Sequence, residues 1–169
     1  MRFKFCPLCG TELVGKKAGD DGLVPFCEKC DQYWFDMFSS CSIVLVANEF
    51  NEVALLRQGY LSNKYCTFVS GFITPGETAE QTAMREVKEE IGISLDSLEN
   101  VGTHWFSVKG ILMHCFIGRA KKSDFTLSQE VDSAQWTPYE KVPELIFPDS
   151  PDNSAFKIYK EFVSKIATK

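Results

Sequence analysis

The chain has 169 residues, 44% of them hydrophobic and 24% charged, which is ordinary for a globular fold and suits one domain with a small appendage. A net charge of −5 with no block of lysines or arginines makes a polymeric nucleic acid a poor main partner. The longest apolar run, Ile43 to Ala47, is too short to cross a bilayer, and no signal-peptide core precedes the first cysteines, so a cytoplasmic protein without a membrane partner is expected.

In chain order, the first signal is a cysteine quartet. Cys6-Pro-Leu-Cys9 and Cys27-Glu-Lys-Cys30 are two CxxC pairs separated by seventeen residues. That spacing fits a zinc ribbon, in which two thiolate knuckles close a tetrahedral structural site. Gly10 follows the first pair, where a tight knuckle favours a residue free to take positive φ. A segment this small cannot build a sufficient core alone, so a metal staple makes physical sense. A redox dithiol is the competing reading of the same cysteines. Four protein ligands leave no open position, so this zinc holds a fold and does no chemistry. The remaining cysteines, Cys41, Cys66 and Cys115, sit in strand-like stretches and read as small buried hydrophobes. The expected division is a zinc ribbon over residues 1–38 and a second domain over residues 39–169.

Strand-like runs follow, with turn residues between them. Ser42 to Ala47 reads as a strand, Val53 to Gln58 as its return, and Tyr65 to Ile73 as a third strand. Thr74-Pro-Gly is turn chemistry, and Thr78 with Gln81 three residues on is a capping-box signature. Ala83, Val87 and Ile91 recur every four residues and give the helix an apolar stripe, which Gly92 ends. Val101 to Ser107 and Ile111 to Lys121 form a predicted hairpin around Lys109-Gly110. A short strand near Ala134 to Thr137, a helix over Pro138 to Leu145 and an amphipathic helix over Ser154 to Ala167 complete the chain. This mixed order predicts an α/β fold, an α/β/α sandwich around a mixed sheet, preceded by the small ribbon.

The helix between the third strand and the hairpin crowds Glu86, Glu89 and Glu90 onto one side. Like charges at such spacing cost a few tenths of a kcal/mol per pair. A solvated acidic face is the bland reading. The wider stretch GFITPGETAEQTAMREVKEEIGI, residues 71–93, supplies another. Gly71, Glu77, Arg85-Glu86-Val87, Glu89-Glu90 and Gly92-Ile93 occupy every defined position of the Nudix box, and the chain resembles a Nudix hydrolase. The resemblance implies hydrolysis of a nucleoside diphosphate linked to another moiety, with Mg²⁺ or Mn²⁺ neutralising charge on the phosphoryl groups. It assigns Glu86 and Glu90 as main metal ligands, Glu89 to the same shell, and Arg85 to the orientation of Glu77. A backbone carbonyl of Ser70 or Gly71 is the implied further ligand.

A zinc ribbon in front of a Nudix domain resembles the NADH pyrophosphatase branch, over nearly the whole chain. Longer members carry a further N-terminal domain that this sequence does not include. The branch's proline-rich hallmark falls over Thr103 to Ile111, read here as THWFSVKGI. All three prolines are missing, and Phe106 stands on the family's Trp. His104 and Trp105 lie in the same segment, which the resemblance places at the substrate. Glu130 matches a downstream acid that completes the metal site, with a solvated loop glutamate as the alternative. Phe35 and Phe72 match aromatics that clamp a flat base, although each alone reads as core. Ala155 falls on a substrate-contact position. The implied function is hydrolysis of NAD(H) to AMP and nicotinamide mononucleotide, by a homodimer. The alternatives are an ADP-ribose or nucleotide-housecleaning hydrolase, and an inactive nucleotide-sensing or RNA-binding module.

Overall fold

In the computed structural model, which describes residues 3–168, the chain parts between Phe38 and Ser39 into two units. The first holds strands β1 (Val14–Lys17), β2 (Leu23–Cys27) and β3 (Gln32–Tyr33), with a 3₁₀ turn at Gly19–Asp21. They form an antiparallel sheet in the order β1-β2-β3. Its small core is Cys6, Leu13 and Cys27, against which Phe3 and Trp34 pack. Each knuckle leaves its second cysteine through a left-handed residue, Gly10 at φ 72° and Asp31 at φ 51°. Aspartate is among the few non-glycine residues that take this conformation readily.

The second unit is built around β4 (Ser39–Ala47), which is buried from Cys41 to Ala47. Strands covered on both faces read as continuous apolar runs, and this one does. One edge of β4 pairs in parallel with β8 (Ile111–Arg119). The other edge is shared by β6 (Val69–Phe72) and the start of β5 (Glu52–Arg57). Strand β7 (Ser97–Phe106) lies outside β8, and β9 (Ser133–Pro138) outside β5. A parallel pair among antiparallel ones makes the sheet mixed.

Alternation along the strands builds two cores. Val44, Val46, Leu56 and Val69 face helix α1 (Ala79–Ile91), whose Ala83, Val87 and Ile91 are completely buried. Cys41, Ile43, Leu45 and Met113 face α2 (Val142–Leu145) and α3 (Ser154–Ala167), with Phe162 at the centre. The architecture is the expected α/β/α sandwich. Both signals at the ends of α1 are present. Thr78 and Gln81 form a capping box, and Gly92 closes the helix at φ 73°.

Several elements differ from the sequence reading, and β4 and β7 begin at Ser39 and Ser97, three and four residues before their predicted starts. The third strand is only Val69–Phe72, because Cys66 and Thr67 pair through single bridges, with Ile146 and Leu56. The segment 138–145 is not one helix. Its Tyr139–Lys141 turn is 3₁₀, and α2 begins only at Val142, just before Pro143. Among the described residues no helix is long and apolar enough to cross a membrane.

Candidate active site and metal centre

The capping box fixes where α1 begins, and Ser42 Oγ on β4 donates to the Ala79 carbonyl at 2.7 Å. The first turn is thereby tied to the central strand, and the carboxylates further along α1 inherit that position. Gly71 on β6 meets the same helix. A Cβ there would sit 2.0 Å from Glu86 Cδ and Oε1. Any side chain at this position would occupy the space of the Glu86 carboxylate.

Arg85 organises the acids. Its Nε and Nη2 donate to the two oxygens of Glu77 at 2.7 and 2.9 Å, a bidentate fork that suits guanidinium and carboxylate. Its Nη1 reaches Glu86 at 2.7 Å and Glu89 at 3.0 Å, and Nη2 also donates to the Phe72 carbonyl. Glu77 accepts further from the hydroxyls of Thr74 at 2.8 Å and Thr82 at 2.9 Å. Arg85, seconded by Thr74, holds the Glu77 carboxyl far below the usual carboxylate range. Glu77 is therefore a saturated structural anion.

Glu90 is the opposite case. Unlike exposed Glu89, it is turned inward and only 4% exposed. Gln58 Nε2 donates to its Oε1 at 3.3 Å, while Oε2 is buried with no hydrogen-bond partner. Burial, with the charge of Glu86 added, pushes the Glu90 carboxyl up to about 7. A buried unpaired carboxylate is costly, and something must compensate it. The Ser70 backbone lies against the same carboxyl and favours its charged form. Glu130 is exposed, but its charge reaches both Glu90 and the Tyr60 hydroxyl. Its loop is joined to α1 where the Ser128 N–H donates to the Glu90 carbonyl at 3.1 Å.

Three carboxylates, those of Glu77, Glu86 and Glu89, thus surround one guanidinium, and Glu90 adds an unpartnered buried oxygen. This all-oxygen set fits a hard divalent cation such as Mg²⁺ or Mn²⁺, which takes a few carboxylates and keeps several waters. Glu86 and Glu90 are placed to hold it, with Glu89 and Glu130 at the exposed side.

The other expected substrate residues separate. Phe72, Cys41, Met113 and His104 form one row across β6, β4, β8 and β7. Three strand spacings put Phe72 and His104 about 14 Å apart on the α3 face. Phe106 and Ala155 belong to that face too. Trp105 alternates to the other face. Phe72 is 56% exposed and Phe35, in the first unit, 53%, so neither is core. Lys157 Nζ lies 2.8 Å from His104 Nδ1.

Gln58, Thr74, Thr82 and Lys157 had no sequence signal as functional residues. The two threonines stand three before and five after Glu77, a spacing that brings both hydroxyls to its carboxylate. Gln58 and Lys157 come from distant segments with no motif.

The first unit carries its own site. The four sulfurs of Cys6, Cys9, Cys27 and Cys30 lie within 4.8 Å of one another. Cys9–Cys27 measures 3.5 Å and Cys6–Cys30 4.0 Å. A tetrahedron with Zn–S bonds of ~2.3 Å has sulfurs ~3.8 Å apart. The thiols cannot all ionise unaided: Thr11 draws Cys9 down to about 6, while hydrogen bonding to Cys9 drives Cys30 up to about 12. A cation at the centre removes that conflict. The quartet fits structural zinc.

Residues 38–161 match the family model of the NUDIX domain. The chain is 31% identical over 144 residues to "NAD-capped RNA hydrolase NudC" of Pseudomonas aeruginosa, covering 84% of this chain and 50% of that protein. The protein of that name from Edwardsiella ictaluri is 29% identical over 143 residues, covering 84% and 54%. The chain spans about half the length of these curated relatives. Among solved structures, a NUDIX hydrolase from Nitrosomonas europaea aligns with TM-score 0.69 at 20% identity, over 96% of this chain and 93% of that one. The NUDIX domain of Shewanella oneidensis NrtR, complexed with ADP ribose, aligns with TM-score 0.67 at 14% identity, over 83% and 94%. At such identities these likenesses bear on the fold alone.

Proposed function

The chain belongs to the NUDIX family, and from that premise we propose that its α1 carboxylates hydrolyse the diphosphate bond of NAD(H), giving AMP and nicotinamide mononucleotide. One observation carries the reading: Glu86 lies against Gly71, and Glu90, within reach of the Glu86 charge, keeps a buried carboxylate oxygen unpartnered. A purely solvated acidic face would leave Glu90 in water.

A bound divalent ion would neutralise the phosphoryl oxygens and lower the pKa of the attacking water. The chain's own residues do the rest. Arg85 keeps Glu77, Glu86 and Glu89 in one arrangement, so the acids need not reorganise when substrate arrives. Glu86 and Glu90 would hold the ion, and Glu130, on the loop after β8, would add its charge to theirs. Water adds to one phosphorus, the bridging P–O bond breaks, and the leaving phosphate takes the remaining proton equivalent. Phe72 offers an exposed aromatic face for a base at one end. Stacking of this kind is worth ~1–3 kcal/mol per base.

The names of the similar proteins favour a second reading of the same chemistry, in which the dinucleotide is the cap of an RNA chain. With a net charge of −5, recognition would centre on the cap and not on the RNA backbone. A panel of NADH, NAD, ADP-ribose, NAD-capped RNA and nucleoside triphosphates, with Mg²⁺ or Mn²⁺ and product identification, tests the proposal. NAD(H) is expected to be cleaved fastest among the free nucleotides. Much faster cleavage of triphosphates would defeat the substrate assignment while leaving diphosphate hydrolysis intact.

A further inference from the structure

Strand β5 ends in a turn that brings Gln58 to the Glu90 carboxylate of α1. Gln58 is 3% exposed, and its amide donates to Glu90 Oε1. The Gln58 carbonyl accepts from the N–H groups of Leu61 at 2.9 Å and Ser62 at 3.1 Å, which folds the turn back on itself. Asp132 then pins it. Its Oδ2 accepts from the Gly59 N–H at 2.6 Å, and its own N–H donates to the Arg57 carbonyl at 2.9 Å. A Cβ on Gly59 would come 3.0 Å from that carboxylate oxygen, so the approach is as close as a glycine allows. Asp132 stands two residues after Glu130. The same anchor therefore ties the Gln58 turn and the Glu130 loop together.

We infer that Gln58 is a positioning residue of the metal centre: its buried amide occupies Oε1 of Glu90 and so leaves Oε2 as the oxygen presented to the ion. The inference rests on the metal-dependent reading of the α1 carboxylates. Its physical content is a choice between two oxygens. A carboxylate free to rotate offers either oxygen in several orientations, and a carboxylate held by one N–H offers the other in one. Groups that hold a metal ligand in this way commonly contribute 10- to 100-fold to affinity. Gln58 touches no reacting atom in this arrangement, and its effect passes through Glu90. The amide suits the task because it donates without adding charge beside Glu86 and Glu90. Lysine or arginine there would compete with the ion for the same carboxylate.

The test uses the full chain with its ribbon intact and reads Mn²⁺ binding by electron paramagnetic resonance, apart from turnover. Gln58→Met keeps an unbranched side chain of similar volume and loses the N–H. Gln58→His can place a ring N–H at similar reach. Glu90→Gln serves as the control for the metal site itself. The inference predicts that Gln58→Met weakens Mn²⁺ about 10- to 100-fold, with kcat recovering at saturating Mn²⁺, and that Gln58→His stays within about threefold of wild type. Wild-type affinity in Gln58→Met, while Glu90→Gln loses binding, overturns this inference alone. Unchanged affinity in Glu90→Gln overturns the metal reading beneath it. If Gln58→Met does not fold, Gln58→His decides: affinity near wild type supports the donor role, and a loss of about 10-fold or more in a folded protein refutes it.

Discussion

At Glu90 the fold buries a carboxyl group and leaves one of its oxygens unmatched. The consequence is a pH dependence with a definite sign. Its folded-state value of about 7 is raised above the ordinary carboxylate value of ~4.3. Without added Mg²⁺ or Mn²⁺, the contribution is favourable below the ordinary value and is lost as pH rises through about 7. The penalty at full ionisation is on the order of 3 kcal/mol. Glu90→Gln is therefore expected to melt higher than wild type at pH 8 and close to it at pH 5, measured without divalent cation. Glu77 has the opposite sign: Arg85 lowers its value, so its stabilisation is present at neutral pH and lost in acid, below the ordinary carboxylate range. The two windows do not overlap. Gly71→Ala would place a methyl group where Glu86 now lies. The far end of that side chain can swing away, so the fold should persist while turnover falls on the order of 100-fold, as misplacement by about an ångström commonly causes. Steady-state rates beside a melting curve check both halves of this expectation.

Among the elements, α1 and α3 show what local sequence can specify. The Thr78–Gln81 capping box and Gly92 delimit α1, and Asn153 caps α3 by accepting from the Phe156 N–H. These signals are short-range, so they are visible without the fold. The third strand is shorter than its side chains suggest, because Tyr65, Cys66, Thr67 and Phe68 favour β structure but lack a continuous partner strand. Which strand a segment pairs with is a long-range fact. The same limit hid Gln58 and Asp132, whose partners lie 32 and 73 residues away. The ribbon's sheet has few apolar residues to hold it, and its core is made largely of cysteines. One zinc per chain is expected by elemental analysis of protein purified without chelator, because the metal supplies folding free energy that the core does not. Cys27→Ser should lose that zinc and lower thermal stability. Stoichiometric zinc in the variant, or none in wild type, would contradict the site.

For the whole molecule, the sheet sets the acids of α1 against β6 and places Phe72, His104, Phe106 and Ala155 on the α3 face. The box residues were legible because their spacing is fixed along one loop and helix. The proposed substrate end was not, because it would be assembled from β6, β7 and α3. Phe72→Ala is expected to raise KM for NADH more than it lowers kcat, since a stacking contact remote from the phosphates provides uniform binding. Initial rates over a range of NADH concentrations give that split. The central claim is that the Glu86–Glu90 site performs diphosphate hydrolysis, and it is tested most directly by chromatography of NADH incubated with Mg²⁺ and either wild-type or Glu90→Gln protein. The account predicts equimolar AMP and reduced nicotinamide mononucleotide from wild type, formed at least ~100-fold more slowly by the folded variant. Intact NADH after incubation of the wild type with either Mg²⁺ or Mn²⁺, or equal cleavage by the variant, would contradict it.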